Sequence, residues 1–214
     1  MLQILVYADS LSWGIIPDTR ERLPFDQRWP GVMENELAAR GIPVRVIEDC
    51  LNGRRTVFED PYKPGRNGLT GLAQRIEVNS PLSLVILMLG TNDLQSMHPH
   101  TAWHAAQGVA TLVRAIRGAP VEPGMPVPPV LIIAPPAIGN AKGTIAPKFL
   151  GSDKKCAGLA DEYSKIADEL DCYFLDAGLI TPASPVDGVH LDADQHAKLG
   201  DAVAGKVTEI LENM

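Results

Sequence analysis

The sequence predicts an α/β protein in which helices cover both faces of a central parallel sheet. Short apolar runs rich in valine, isoleucine and leucine alternate with longer stretches whose apolar residues recur at helical spacing. The short runs are typical of strands that are buried on both faces, and the longer stretches are typical of amphipathic helices. Their alternation implies right-handed crossovers and a three-layer α/β/α architecture.

The candidate strands share a short length and a nearly continuous apolar composition. They are Leu2–Tyr7, Val44–Ile47, Leu82–Leu89, Val130–Ala134 and Cys172–Leu175. Polar clusters closely follow the first three of these runs. Because binding sites in open α/β sheets form outside the carboxyl ends of the strands, we expect a functional site at that edge.

The candidate helices each show an apolar stripe, and several have a capping or stop residue beside them. Gly41 and Gly118 are predicted to end two of them, and Asp192 is predicted to cap the last. The stripes run over Trp29–Leu37, Leu69–Ile76, Ala102–Ile116, Leu159–Leu170 and Leu199–Ile210.

Composition and charge favour one globular domain, residues 1–214, without a nucleic-acid or membrane partner. Hydrophobic residues make up 45% of the chain, charged residues 21%, and the formal net charge is −7. Binding to nucleic acid or anionic lipid needs a basic face, which this balance does not favour. No apolar run approaches the roughly 20 residues of a membrane span. The three scattered cysteines predict neither a disulfide framework nor a zinc site, and we expect a cytoplasmic protein.

Three connecting segments are longer than ordinary loops. Gly14–Gln27 and Pro135–Asp153 are predicted to be walls of a pocket, since long ordered loops in compact domains are usually functional. Ala119–Pro129 carries five prolines and is predicted to be a stiff surface connector.

The first polar cluster, Tyr7–Gly14, places Ser10 at the end of the first candidate strand. A serine hydroxyl in this position could face a cleft. Taken alone, an Asp-Ser pair after a strand is more typical of a turn or a helix cap.

The segment Asp187-Gly188-Val189-His190 supplies the partners that a nucleophilic serine needs. Neutral imidazole can remove the hydroxyl proton near pH 7, and a carboxylate on its other nitrogen holds it in one tautomer. The spacing lets one short turn provide both groups, although a histidine before a helix can also be an ordinary surface residue.

Two further clusters could stabilise an oxyanion. Asn92 in Met88–Asp93 could donate a side-chain N–H, and Gly53 in Leu51–Thr56 could bring a backbone N–H close to a substrate oxygen. Simple strand-to-helix turns are the alternative interpretation of both. The neighbouring Arg54 and Arg55 could contact an anionic group of the substrate, but we expect them to form a solvated charged turn.

Together, the segments D-S-L-S-W-G, G-T-N-D and D-G-V-H resemble sequence blocks of the SGNH (GDSL) hydrolase superfamily. The resemblance extends from Ala8 to His190 and is greatest to small bacterial arylesterases and acyltransferases (perhydrolase-like) and to carbohydrate acetylesterases. It implies a flavodoxin-like, five-stranded parallel sheet. It also implies homo-oligomers, because relatives in the acyltransferase branch assemble in that way.

The resemblance implies a role for each matching residue. Ser10 is the nucleophile, His190 the general base and Asp187 the residue that orients it. The oxyanion hole comprises the N–H groups of Ser10 and Gly53 and the side chain of Asn92. No cofactor or metal is required.

Two residues of the first block, Ala8 and Trp13, bear on the surroundings of Ser10. Ala8 stands where the family motif has glycine. The added methyl group must be packed beside the nucleophile, but the change removes no catalytic group. Trp13 is predicted to line the acyl pocket and to favour short acyl groups, or alternatively to be a core aromatic residue behind the nucleophile.

The sequence therefore predicts a serine esterase that hydrolyses short acyl esters, with acyl transfer to other acceptors as a further reaction of the same site. A carbohydrate O-acetylesterase with the same triad is one alternative. A non-catalytic flavodoxin-like binding module and a scaffold with an inactive triad are two others. His98, His100 and His104 are not expected to form a metal site, because no carboxylate or cysteine completes the set.

Overall fold

The computed structural model describes residues 1–213 and contains a five-stranded sheet with strand order β2-β1-β3-β4-β5. Every neighbouring pair is parallel. The strands are β1 (Leu2–Ala8), β2 (Val44–Cys50), β3 (Leu84–Met88), β4 (Val130–Ala134) and β5 (Tyr173–Asp176). The predicted α/β fold with a five-stranded parallel sheet is confirmed.

Burial differs between the centre and the edges of this sheet, as its strand order requires. All residues of β3 and β4 are buried, whereas β5 is half-buried throughout and β2 nearly so. Central strands are covered on both faces, which is why continuous apolar runs identified them in the sequence.

Helices pack on the sheet in two groups. Helices α2 and α7 pack together, and α4 packs against both α3 and α6. Within residues 1–213 the helices are α1 (Ser10–Trp13), α2 (Trp29–Ala39), α3 (Leu72–Asn79), α4 (Ala102–Arg117), α5 (Ser152–Lys155), α6 (Leu159–Glu169) and α7 (Ala193–Glu212). None of these helices combines the length and apolar character that crossing a bilayer requires.

The predicted helix ends agree with the structure except at α3. Gly118 ends α4, and the Asp192 side chain caps α7 in a reciprocal capping box with Gln195. Leu69 was expected within the third helix, and this expectation is wrong. Its N–H is bonded at 2.9 Å to Asn67 Oδ1, and this local turn delays the start of α3 until Leu72.

The parallel sheet brings the polar clusters to one edge. Ser10 begins α1 two residues after β1, Gly53 follows β2, and Asn92 lies in a short 3₁₀ helix (Thr91–Leu94) after β3. Because β1 lies between β2 and β3, these residues follow three adjacent strands.

Candidate active site

The nucleophile position is fixed by the turn from β1 into α1. Asp9 caps α1 with a hydrogen bond of 3.0 Å from Leu11 N to Asp9 Oδ1, and Ser10 is 6% exposed. Ala8, where the family motif has glycine, is the last residue of β1 and is fully buried in the core. Since strand backbone suits alanine, the methyl group fits without the conformational freedom of glycine.

His190 lies between the predicted nucleophile and the predicted orienting carboxylate. Its Nε2 is 3.1 Å from Ser10 Oγ, and its Nδ1 is 2.6 Å from Asp187 Oδ2. These contacts fit a tautomer in which Nδ1–H donates to the carboxylate and the Nε2 lone pair accepts the serine proton. The three predicted residues thus form one hydrogen-bonded chain.

The loop itself holds Asp187 in this position. Asp187 Oδ1 accepts the backbone N–H groups of Val189 and His190, each at 2.9 Å. Burial alone would raise the pKa of Asp187, but the bond from His190 and these two N–H donors outweigh it and lower the pKa below its usual value. Asp187 is therefore an anion at neutral pH.

Asn92 contacts the sequence neighbours of both Ser10 and Gly53. Gly53 is buried with φ +84°, a conformation that favours glycine. Asn92 Nδ2 lies 2.9 Å from Asp9 Oδ2 and 3.1 Å from the carbonyl oxygen of Arg54. The Asn92 amide is thereby tied to the residue before Ser10 and to the residue after Gly53.

The G-T-N-D segment also has a packing role. Gly90 has φ +120°, and a Cβ there would lie 2.1 Å from Tyr163 Oη, which donates to the Leu89 carbonyl oxygen. Asp93 accepts hydrogen bonds from the N–H and hydroxyl of Thr56. Its complete burial raises its pKa to about 7 despite these donors. Asp93 thus links the third polar cluster to the second.

Asp9 is a buried carboxyl group that the sequence indicated only as part of a turn. It is 1% exposed, and burial raises its pKa to about 6 although Leu11 N, His190 and Asn92 act in the opposite direction. No local sequence pattern reveals this, because its burial depends on β3 and on the last loop.

The expectation of a solvated turn at Arg54 and Arg55 is wrong. Arg54 is 4% exposed and Arg55 is fully buried. The Arg54 guanidinium stacks 3.9 Å above the Tyr7 ring and pairs with Asp49 at 2.6 Å. Both charges are tolerated because each is paired with a carboxylate, that of Arg55 being Asp60 at 2.9 Å.

Trp13 lies at the end of α1 and is partly buried. The Arg22 guanidinium lies 4.7 Å from its ring centroid, and Arg22 Nε donates to its carbonyl oxygen at 2.7 Å. The fully buried tryptophan behind the nucleophile is Trp29, whose Nε1 donates to Ser12 Oγ at 3.0 Å. A lining role for Trp13 stays a prediction.

Both long polar loops reach the triad, as expected of pocket walls. A small cavity of about 40 Å³ is bordered by His190 and Asp187, together with Ile15, Asp18, Thr19, Arg20, Thr144 and Ile145. A larger cavity of about 430 Å³ lies within the 139–153 segment and touches no triad residue. We place the candidate site at the smaller cavity, because His190 and Asp187, two of the three triad residues, border it.

The three neighbouring histidines form an aromatic stack. The His98 and His100 ring centroids are 4.7 Å apart, and the His100 and Phe58 centroids are 3.8 Å apart. Burial and the adjacent imidazoles lower the pKa of His100 to about 4. Among residues 1–213, no group of three or more His, Cys, Asp or Glu side chains is arranged to hold a metal ion.

The comparisons with known proteins agree on one protein family. Residues 9–198 match the GDSL-like lipase/acylhydrolase family. A carbohydrate acetylesterase from Sinorhizobium meliloti is 34% identical and superposes with a TM-score of 0.92. That match covers 98% of this chain and 100% of the acetylesterase. An inhibitor-bound aryl esterase from M. smegmatis is also 34% identical and superposes with a TM-score of 0.91. That match covers 98% of this chain and 99% of the aryl esterase.

An arylesterase from Vibrio mimicus is 32% identical over 91 residues, which is 42% of this chain and 38% of the Vibrio protein. The family match alone covers well over half of this chain. The chain therefore belongs to the GDSL-like lipase/acylhydrolase family, and the fold and the ester-hydrolase class that the sequence predicted are confirmed.

Proposed function

We propose that this protein is a serine esterase in which Ser10 forms a covalent acyl intermediate. The observation that carries the proposal is the chain from Ser10 Oγ through the His190 imidazole to the Asp187 carboxylate, with distances of 3.1 and 2.6 Å. A serine hydroxyl is a weak nucleophile until an adjacent base accepts its proton, and this geometry supplies that base.

In the first step Ser10 Oγ attacks the ester carbonyl carbon while His190 Nε2 takes the hydroxyl proton. The negative charge moves to the carbonyl oxygen, where the N–H groups of Ser10 and Gly53 and the Asn92 amide donate to it. The anionic Asp187 stabilises the imidazolium. The carbon–oxygen bond to the alcohol then breaks, and the alcohol leaves with the proton from His190.

In the second step an acceptor hydroxyl attacks the acyl-serine ester. His190 takes the acceptor proton and returns it to Ser10 Oγ as that ester bond breaks. Water as acceptor gives hydrolysis, and an alcohol or peroxide gives acyl transfer. We propose hydrolysis as the main reaction and acyl transfer as a second one that uses the same residues.

We propose short acyl groups, such as acetyl, as the preferred substrates. The cavity beside His190 is small, and the proposed position of Trp13 would narrow it further. A carbohydrate O-acetylesterase is the second candidate function. Polar side chains around the same cavity, including Asp18, Arg20 and Thr144, suit a hydroxyl-rich alcohol, and the relative from Sinorhizobium meliloti is a carbohydrate acetylesterase.

A chain-length series tests this preference. We expect kcat/KM to fall from p-nitrophenyl acetate through butyrate to octanoate, by about 10-fold or more overall. The reason is that the added methylene groups of the longer acyl chains do not fit inside a small pocket. Steady-state hydrolysis of the three esters measures it. Equal or faster turnover of octanoate would contradict the small acyl pocket. Faster deacetylation of an acetylated sugar than of p-nitrophenyl acetate would favour the second candidate.

We propose that residues 1–214 form one domain, since one sheet and one apolar core include all the strands of the described part. We propose further a cytoplasmic homo-oligomer whose partner is a small ester, with no nucleic-acid or membrane partner. The net charge of −7 supports the last point. A non-catalytic binding module would leave the ordered contact between Asp187 and His190 without a role.

A further inference from the structure

A line of buried hydrogen bonds leads away from the oxyanion hole behind Asn92. Gln95 Nε2 donates to Asn92 Oδ1 at 2.7 Å, and Arg55 Nη2 donates to Gln95 Oε1 at 2.6 Å. Arg55 and Gln95 are both fully buried, and Asn92 is 3% exposed. Bonds of this length between buried groups are strong and directional.

Asp60 fixes the far end of this line. Arg55 Nη2 also donates to Asp60 Oδ2 at 2.9 Å. Asp60 Oδ1 in turn accepts the backbone N–H groups of Tyr62 and Lys63 at 2.9 and 3.0 Å. Burial would raise the pKa of Asp60, but these donors and Arg55 lower it, so both members of the pair stay charged.

The charge on Arg55 sets the direction of every bond in the line. A guanidinium group only donates, so Gln95 must turn its oxygen towards Arg55 and its NH₂ group towards Asn92. Asn92 must then turn Oδ1 towards Gln95. Its Nδ2 is left to donate to Asp9 Oδ2 and to the Arg54 carbonyl oxygen, which belong to the residues next to Ser10 and Gly53 in the sequence.

We propose that Arg55 and Gln95 are positioning residues for the oxyanion hole, a role that deepens the proposed esterase function and rests on it. They hold the Asn92 amide so that its NH₂ group, rather than its oxygen, lies beside Asp9 and the Arg54 carbonyl oxygen, and one of these N–H groups is shared with the negative charge as it develops. The buried cation also polarises the two amides in the same sense, which strengthens the Asn92 N–H as a donor. Neither residue contacts substrate in this role.

Gln95→Glu tests the proposal with little change in volume. The new carboxylate keeps its contact with Arg55 but presents an oxygen, in place of N–H, to Asn92 Oδ1. Loss of one oxyanion donor lowers kcat by about 10²- to 10³-fold, so we expect a mispositioned Asn92 to lower it by about 10- to 100-fold. KM should change by less than about 3-fold, because the donor acts mainly in the transition state.

A double-mutant cycle separates positioning from general damage. If Gln95 acts through Asn92, Gln95→Glu has no further effect on kcat in an Asn92→Ala background. Ser152→Ala is the matched control, because the Ser152 hydroxyl is fully buried and donates to the Leu94 carbonyl oxygen at 2.7 Å, next to Gln95. This control should leave kcat nearly unchanged. Losses that simply multiply in the double variant would overturn the proposal.

A readout that needs no turnover completes the test. In ¹⁵N-labelled protein we expect the Asn92 side-chain amide signals to shift in Gln95→Glu and to stay in place in Ser152→Ala. An unchanged Asn92 signal in Gln95→Glu would overturn the positioning role. A wild-type protein without Ser10-dependent esterase activity would instead reject the proposed function, and the amide signals would still decide the positioning of Asn92.

Discussion

Ser10→Ala is expected to lower kcat for p-nitrophenyl acetate by about 10⁴-fold or more, because removing the nucleophile of a triad leaves only binding and oxyanion stabilisation. The substitution deletes one oxygen atom from a helix start whose backbone is fixed by Asp9 and by β1. We therefore expect the fold and KM to change little. Steady-state kinetics and thermal unfolding of the same preparation measure the two effects.

Ser12→Ala is the matched control for this variant. Ser12 is two residues further along α1, is fully buried, and accepts a hydrogen bond from Trp29 Nε1 at 3.0 Å. Its loss leaves that donor unpaired and should lower the free energy of unfolding by about 1–3 kcal/mol while kcat changes by less than about 3-fold. A Ser10→Ala enzyme as active as Ser12→Ala would be incompatible with the proposed nucleophile.

We expect Asp187→Asn to lower kcat by about 10⁴-fold, the size of effect that the loss of the orienting carboxylate has in a serine triad. Two backbone N–H groups, those of Val189 and His190, donate to Asp187 Oδ1. They hold the asparagine oxygen at that position, so its NH₂ group faces His190 Nδ1. The imidazole must then accept at Nδ1 and carry its proton on Nε2, where it can no longer take the proton of Ser10.

Asp192→Asn is the control for removing a charge near the same loop. Asp192 accepts from Ser184 Oγ at 2.8 Å and caps α7, a role that asparagine also performs well. We expect kcat within about 3-fold of wild type, since no triad atom changes its partner. Equal losses in the two variants would assign the Asp187 effect to loop damage rather than to the imidazole tautomer.

The sequence predicted the strands and most helices because their apolar periodicity reflects local geometry. Val130–Ala134 is continuous and apolar, and it is buried along its whole length as β4. Leu69 satisfied the same helical spacing but lies outside α3, since a side-chain contact from Asn67 competes with the first helical turn. The spacing of apolar residues does not reveal this competing hydrogen bond.

The candidate site was predictable where chemistry depends on residue type and missed where it depends on distant packing. Asp187 and His190 share one loop, so their contact was implied by spacing, while their approach to Ser10 crosses 180 positions. The burial of Arg55 and its contact with Gln95, 40 residues away, had no local signal. Charged residues beside a glycine normally indicate a solvent-exposed turn. Only the folded structure shows that Asp60 and Gln95 are the buried partners of Arg55.

Trapping the acyl-enzyme during turnover identifies the nucleophile. Wild-type protein is mixed with p-nitrophenyl acetate, quenched in acid within the first turnovers, digested and analysed by mass spectrometry. We expect one acetyl group per chain, on the peptide that contains Ser10, and no such group in Ser10→Ala. Turnover with the acetyl group on another residue would contradict the assignment of Ser10 as the nucleophile.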